Sequence, residues 1–147
     1  MLEFMPAGPE DLELLFQLNK QLIDTYEDTA AIDYDRVLTW VHKNLEQTLP
    51  HFTRVLWNGE TAGFYALTPV EDKTELDSLF VLPPFQNRGI GTQILRRCME
   101  MTQTPLFLYV FRRNTGAIGL YERLGFRITI EVGQTRYIME YAKQGCL

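Results

Sequence analysis

The stretch Gln86-Asn87-Arg88-Gly89-Ile90-Gly91-Thr92 follows an apolar, β-prone run and opens a helical one. Backbone N–H groups at a helix start lack intrahelical acceptors, and the helix dipole adds about half a positive charge there. Gly89 and Gly91 carry no side chain, so an oxyanion can approach the main chain, and Arg88 supplies a cation. The stretch can cradle a diphosphate, although a plain tight turn would use the same glycines. No Gly-Lys-Ser/Thr follows, so it is not a P-loop. No glycine stands three residues after Gly91, so it is not a dinucleotide fingerprint. Glu75 and Asp77 lie two apart on the preceding run, and a strand turns both to one side. There they can accept a proton and attract a cation, or form a solvated face. Tyr121 shares a helical stripe with Ala117 and Leu124, the spacing of a core tyrosine. Its phenol, with an ordinary pKa of ~10, is also protonated at neutral pH, as an acid must be. Cys98 continues the Ile90–Ile94 spacing of a buried, inert thiol, and His42 and His51 read as surface residues outside any metal-ligand spacing.

Alternating and helical periodicities supply the frame for these groups. Residues 2–6 read as a short strand, and Pro9 suits a first helical position. Leu12, Leu15, Phe16, Leu22 and Ile23 then recur at helical spacing. Residues 24–35 are acidic and read as a loop; a second helix follows at 36–48, with Val37, Leu38, Trp40, Val41 and Leu45 on its apolar side, and both Trp40 and Trp57 read as packing residues. Strands at 51–57 and 60–70 flank Asn58-Gly59, a hairpin signal, and a third run covers 73–82. A helix opens near Gly89; LFLYVF at 106–111 reads as a buried strand; a helix spans 115–124; strands at 126–132 and 135–141 form a last hairpin. The order β-α-α-β-β-β-α-β-α-β-β predicts an α/β domain with a mostly antiparallel sheet, of about seven strands and about four helices.

Composition narrows the function classes. A chain of 147 residues predicts one domain over 1–147 with a real core. Hydrophobic residues make up 46% and charged ones 22%, against disorder, collagen and coiled coil. The net charge of −5 argues against nucleic-acid binding and leaves room for a cationic or amine substrate. No apolar run approaches the ~20 residues of a membrane helix. The early acids in MLEFMPAGPEDLELL argue against a signal peptide. Cys98 and Cys146 form neither a disulfide framework nor a zinc motif, so a reducing, cytoplasmic setting is expected.

Two blocks carry a family resemblance. Leu79-Phe80-Val81, Pro83, then Gln86-x-x-Gly89-x-Gly91 resembles the strand, loop and helix start of the GNAT superfamily of acetyl-CoA-dependent N-acetyltransferases. Leu108-x-Val110, Asn114, Tyr121 and Leu124-Gly125-Phe126 resemble that family's later strand and helix. The likeness is specific over 74–126 and topological elsewhere; it implies the GNAT-like acyltransferase fold and acetyl-CoA as co-substrate, with no metal.

The resemblance also implies roles. The backbone of the Leu79-Phe80-Val81 strand, through Leu79 and Val81, would bond the pantetheine arm, and the Val81 N–H would meet the oxyanion. Asn87, Arg88, Gly89, Ile90, Gly91 and Thr92 would hold the diphosphate, with Gln86 at its entrance. Asn114 would bond the pantetheine or support the site, and is equally a helix N-cap. The pairs Arg96-Arg97 and Arg112-Arg113 could help a 3′-phosphate or decorate a solvated side. Tyr121 would protonate the departing thiolate, and Glu75 or Asp77 would deprotonate the amine. The branch that acetylates protein N-termini often places a glutamate six before the asparagine; Leu108 stands there, and no carboxylate lies between Leu106 and Phe111. The acceptor pocket maps to about 22–36 and 130–138, where Tyr26, Glu27 and Tyr34 would face a cationic amine. The implied activity is acetyl transfer to a primary amine, on a small or cationic metabolite; the alternatives are a protein or peptide amine, or an acyl-CoA-sensing module without turnover. The resemblance also raises a homodimer.

Overall fold

The computed structural model describes residues 1–142; Cys146 lies outside the described residues. Seven strands, β1 (Leu2–Pro6), β2 (Phe52–Trp57), β3 (Glu60–Val70), β4 (Lys73–Val81), β5 (Leu106–Phe111), β6 (Arg127–Val132) and β7 (Arg136–Tyr141), form one sheet in the order β1-β2-β3-β4-β5-β7-β6. Four helices, α1 (Leu12–Tyr26), α2 (Tyr34–Thr48), α3 (Ile90–Met101) and α4 (Thr115–Arg123), flank it. This is the predicted element order and the predicted α/β class.

Each sheet face has its own core. Leu15, Ile23, Val41 and Leu45 of α1 and α2 pack on Phe52, Phe64 and Ala66. Ile90, Ile94, Leu95 and Cys98 of α3 pack on Val55, Tyr65, Leu76, Leu106, Leu108 and Met139. β3 supplies both cores because successive residues point to opposite faces, so Phe64 and Tyr65 anchor different layers. A side chain of this size buried completely, as Phe64 is, contributes roughly 1.5–3 kcal/mol.

Local chemistry explains the boundaries. Asn58 and Gly59 have φ values of 50° and 85°, the left-handed pair that a two-residue hairpin needs. Pro9 opens a short 3₁₀ turn ahead of α1 rather than α1 itself. The expected loop over 24–35 is shorter than predicted. α1 runs on through Tyr26, and α2 starts at Tyr34 because the Asp33 carboxylate caps it, accepting from the Arg36 N–H at 3.3 Å. Tyr26 and Tyr34 therefore stand on helix ends.

The feature that creates the site is in the middle of the sheet. Every neighbouring pair is antiparallel except β4 and β5, which run parallel and pair only through Thr74–Leu106 and Glu75–Phe107. Immediately afterwards β4 carries an irregularity, with Leu76 opposite Leu67 and Ser78 opposite Ala66, so that Asp77 is the extra residue. Such a bulge bends the strand and increases its twist. From there to Val81, the edge of β4 that faces β5 is unpaired.

Candidate active site

The open edge of β4 presents main-chain groups. The Leu82 N–H donates to the Ala62 carbonyl at 2.8 Å, so by alternation Phe80 and Ser78 bond towards β3. Leu79 and Val81 consequently turn their N–H and C=O groups into the split. The Gln86 side chain confirms this direction, since its Nε2 donates to the Val81 carbonyl at 2.9 Å. Gln86 thus ties the loop to the strand end. Phe80 contributes its side chain, packed against the α1/α2 core.

The glycine loop has the geometry of an anion cradle. Gln93 makes the first helical bond, to the Gly89 carbonyl at 3.1 Å. The N–H groups from Asn87 to Thr92 have no acceptor among the described residues. Asn87 and Gly89 adopt left-handed φ values of 63° and 76°. A Cβ on Gly89 would meet nothing within 4 Å, so conformation, not space, selects glycine there. The Ile90 side chain is buried, leaving only its N–H for a ligand. The exposed Arg88 rests 5.8 Å from the Phe85 ring centroid with no carboxylate partner among the described residues.

Two of the four neighbouring arginines serve the fold. Arg97 lies 3.9 Å from the Phe4 ring centroid and donates to the Tyr65 hydroxyl at 3.4 Å. Arg112 binds the carbonyls of Gly133 and Arg136 at 2.7 and 3.2 Å and so pins the last hairpin.

Between the split and the first two helices lies a cavity of about 550 Å³. Glu75, Asp77, Leu79 and Phe80 line it from β4, and Asn114, Ala117 and Tyr121 from α4. The structure thus brings together the predicted carboxylates, tyrosine and asparagine. Asn114 caps α4 through its side-chain oxygen, which accepts from the Ala117 N–H at 3.2 Å, so its amide group stays free to donate into the cavity. Tyr121 packs its ring against Phe126, 5.7 Å between centroids, and keeps partial exposure towards the cavity. Burial, aided by the Cys98 thiol nearby, pushes its phenol up to about 12. It therefore holds its proton firmly in the resting site.

Glu75 has the opposite poise. Burial, reinforced by the charge of Asp77, raises its carboxyl to about 7, and it makes no hydrogen bond or ion pair among the described residues. A carboxylate that titrates near neutrality and faces a cavity is equipped to take a proton from an amine. Asp77 is also raised by burial, with His51 opposing. Burial lifts the Cys98 thiol to about 12, so this cysteine is the inert core residue its spacing predicted.

The acceptor side differs from the prediction. Tyr26, Glu27 and Tyr34 do not line the cavity. Tyr26 stacks on Phe111 at 6.3 Å, the Glu27 carboxylate accepts from the Asp28 N–H, and the Tyr34 hydroxyl donates to Asp24 at 2.6 Å. Asn19, Leu22, Trp40, Asn44 and Thr48 line the cavity on the helix side and Tyr109 and Arg136 on the strand side, with Leu22 and Arg136 inside the mapped stretches 22–36 and 130–138. Trp40, expected to pack, is 63% exposed. It stands one residue, about 100° of helix turn, from Val41 on the packed stripe. That offset was visible in the sequence, and Arg136 falls within the mapped stretch 130–138, whereas Tyr109 gave no comparable signal.

Residues 15–126 match the profile of the acetyltransferase (GNAT) family. The chain belongs to that family. It is a GNAT-type N-acetyltransferase, and the free loop N–H groups and the open β4 edge fit the acetyl-CoA that such enzymes use. The peptidyl-lysine N-acetyltransferase YjaB of Salmonella typhimurium is 25% identical over 129 residues, 88% of this chain and 86% of its own. The ribosomal protein bS18-alanine N-acetyltransferase of the same organism is 38% identical over 69 residues, 44% of this chain and 47% of its own. In fold, this GNAT chain is similar to the PaiA N-acetyltransferase from Thermoplasma acidophilum, solved in complex with coenzyme A. The TM-score is 0.73 at 20% identity, over 97% of this chain and 99% of that one. Among the described residues, no helix is long and apolar enough to cross a membrane and no cluster of ligands suits a metal.

Proposed function

We propose that this enzyme transfers the acetyl group of acetyl-CoA to a primary amine by direct attack within a ternary complex, and that the acceptor is a small amine arriving as an ammonium ion. One observation carries the reading: the Glu75 carboxylate and the Tyr121 phenol line one cavity at the point where β4 leaves β5. Glu75, with a pKa near the working pH, takes the ammonium proton directly or through one water. The free amine is nucleophilic enough to attack the thioester carbon itself, so no acyl-enzyme is required. The Val81 N–H, turned into the split, is placed to meet the charge that grows on the carbonyl oxygen. Tyr121 gives its proton, or a hydrogen bond, to the departing thiolate. Asp77, beside Glu75, adds negative potential for the incoming cation.

The loop from Asn87 to Thr92 holds the diphosphate and so sets the depth to which the thioester reaches. A polypeptide amine is the second reading, favoured by the peptidyl-lysine activity in the name of the relative aligned over 88% of this chain. Thiol release from acetyl-CoA, measured across a panel of amines and lysine peptides, tests both. Turnover of at least one primary amine is expected; cofactor-dependent thermal stabilisation with no thiol release on any acceptor would refute the catalytic reading.

A further inference from the structure

Arg136 occupies a place in the cavity that the acetyl-transfer reading does not use. It opens β7 opposite Phe111 of β5 and lies back along the sheet, its guanidinium 5.2 Å from the Tyr109 ring centroid. Both residues line the cavity. Among the described residues no carboxylate comes within 4.0 Å of Arg136, whereas Arg54 has Asp11 at 3.5 Å and Arg112 has Glu131 at 3.7 Å. An arginine seated on an aromatic ring keeps its planar fork of donors for a carboxylate. The acids in the cavity, Glu75 and Asp77, lie across it on β4. The cavity is therefore negative at one end and positive at the other, and neither end neutralises the other.

The sheet sets the two ends apart, with Glu75 on β4 and Arg136 on β7, the strand beyond β5. Glu75 is level with Phe107, two residues before Tyr109 on the adjacent strand, and both side chains point to the α1/α2 face. One inter-strand step and two residue steps separate the backbone positions of Glu75 and Tyr109 by roughly 8 Å, and Arg136, two strands and four residues from Glu75, reaches back to the Tyr109 ring with its side chain. On the acetyl-transfer reading above, we infer that the acceptor carries a carboxylate held apart from its amine by a chain of several carbons, and that Arg136 binds it. A diamine of equal length would set its second ammonium against Arg136 and be rejected. The carboxylate belongs either to a free amino acid or to an acidic residue beside a lysine in a peptide; the two present the same chemistry.

The test is a matched set of equal chain length: an ω-aminohexanoate, hexylamine and diaminohexane, with two lysine peptides that differ only in a neighbouring Glu or Gln. The lowest KM is expected for a carboxylate-bearing member, the free acid or the Glu peptide, and whichever is lower identifies the source. Arg136→Gln should raise that KM roughly tenfold or more, and raise the KM of hexylamine far less. Arg136→Lys should restore part of the loss, and Arg136→Glu should turn the preference to the diamine. Equal KM values across the set, or an Arg136→Gln effect shared by every amine, overturn the inference and leave acetyl transfer standing. Absence of turnover on every acceptor overturns the catalytic reading and the inference with it.

Discussion

Replacing Glu75 by glutamine should slow the enzyme and stabilise it, and the two effects share one cause. Burial beside Asp77 lifts the Glu75 carboxyl from 4.5 to about 7. Between those values the folded chain holds a proton that the unfolded chain has released. The stability this group contributes is fully present below pH 4.5 and is lost as pH rises through about 7. Above that, the wild type carries a partly buried charge that Glu75→Gln removes. Each pKa unit corresponds to about 1.4 kcal/mol, but the side chain is only partly buried and solvent screens most of the effect, leaving about 1 kcal/mol. For a chain of this size that is a gain of roughly 2–4 °C in Tm at pH 8, shrinking to nothing near pH 4. Over the same range, kcat/KM of the wild type should rise with an inflection near 7, and the variant should lose that limb together with roughly a hundredfold or more in rate. Thermal melts and pH–rate profiles on the same preparations check both. A Tm difference that does not change with pH, or an acid limb that survives the substitution, would refute the assignment of Glu75 as the base.

Tyr121→Phe keeps the ring that packs on Phe126 and removes only the hydroxyl, so kcat should fall roughly a hundredfold with coenzyme affinity unchanged, read by steady-state kinetics and calorimetry. Gly63→Ala would place a methyl 2.1 Å from the Phe80 carbonyl oxygen, a main-chain atom that cannot move alone. It should cost about 1–3 kcal/mol in a denaturant melt and weaken coenzyme-induced stabilisation, because Val81 lies directly opposite Gly63. Trp40→Ala, at an exposed position, should leave stability within about 0.5 kcal/mol while raising the acceptor KM; an unchanged KM would exclude Trp40 from the acceptor wall.

Much of this molecule was legible before any fold was known. Apolar spacing set the order of strands and helices, Asn58-Gly59 set a hairpin, and two glycine-bearing blocks pointed to the diphosphate loop and to Tyr121. These are short-range properties: side-chain period, turn chemistry and the lack of a Cβ act within a few residues of themselves. The length of α1 escaped the reading because its acidic last turn, up to Tyr26, carries little apolar signal, and the capping role of Asp33 depends on where the helix starts. The tertiary structure alone decided what the cavity contains. The bulge at Asp77 and the two-pair contact between β4 and β5 open the sheet, so that residues from α1, α2, α4, β5 and β7 share one space. Whether Glu75 titrates near neutrality or as an ordinary surface acid, and whether Arg136 meets a partner or faces a ligand, depends on groups distant in sequence. Burial and Coulomb interaction follow distance in space, and only the packed sheet defines that distance.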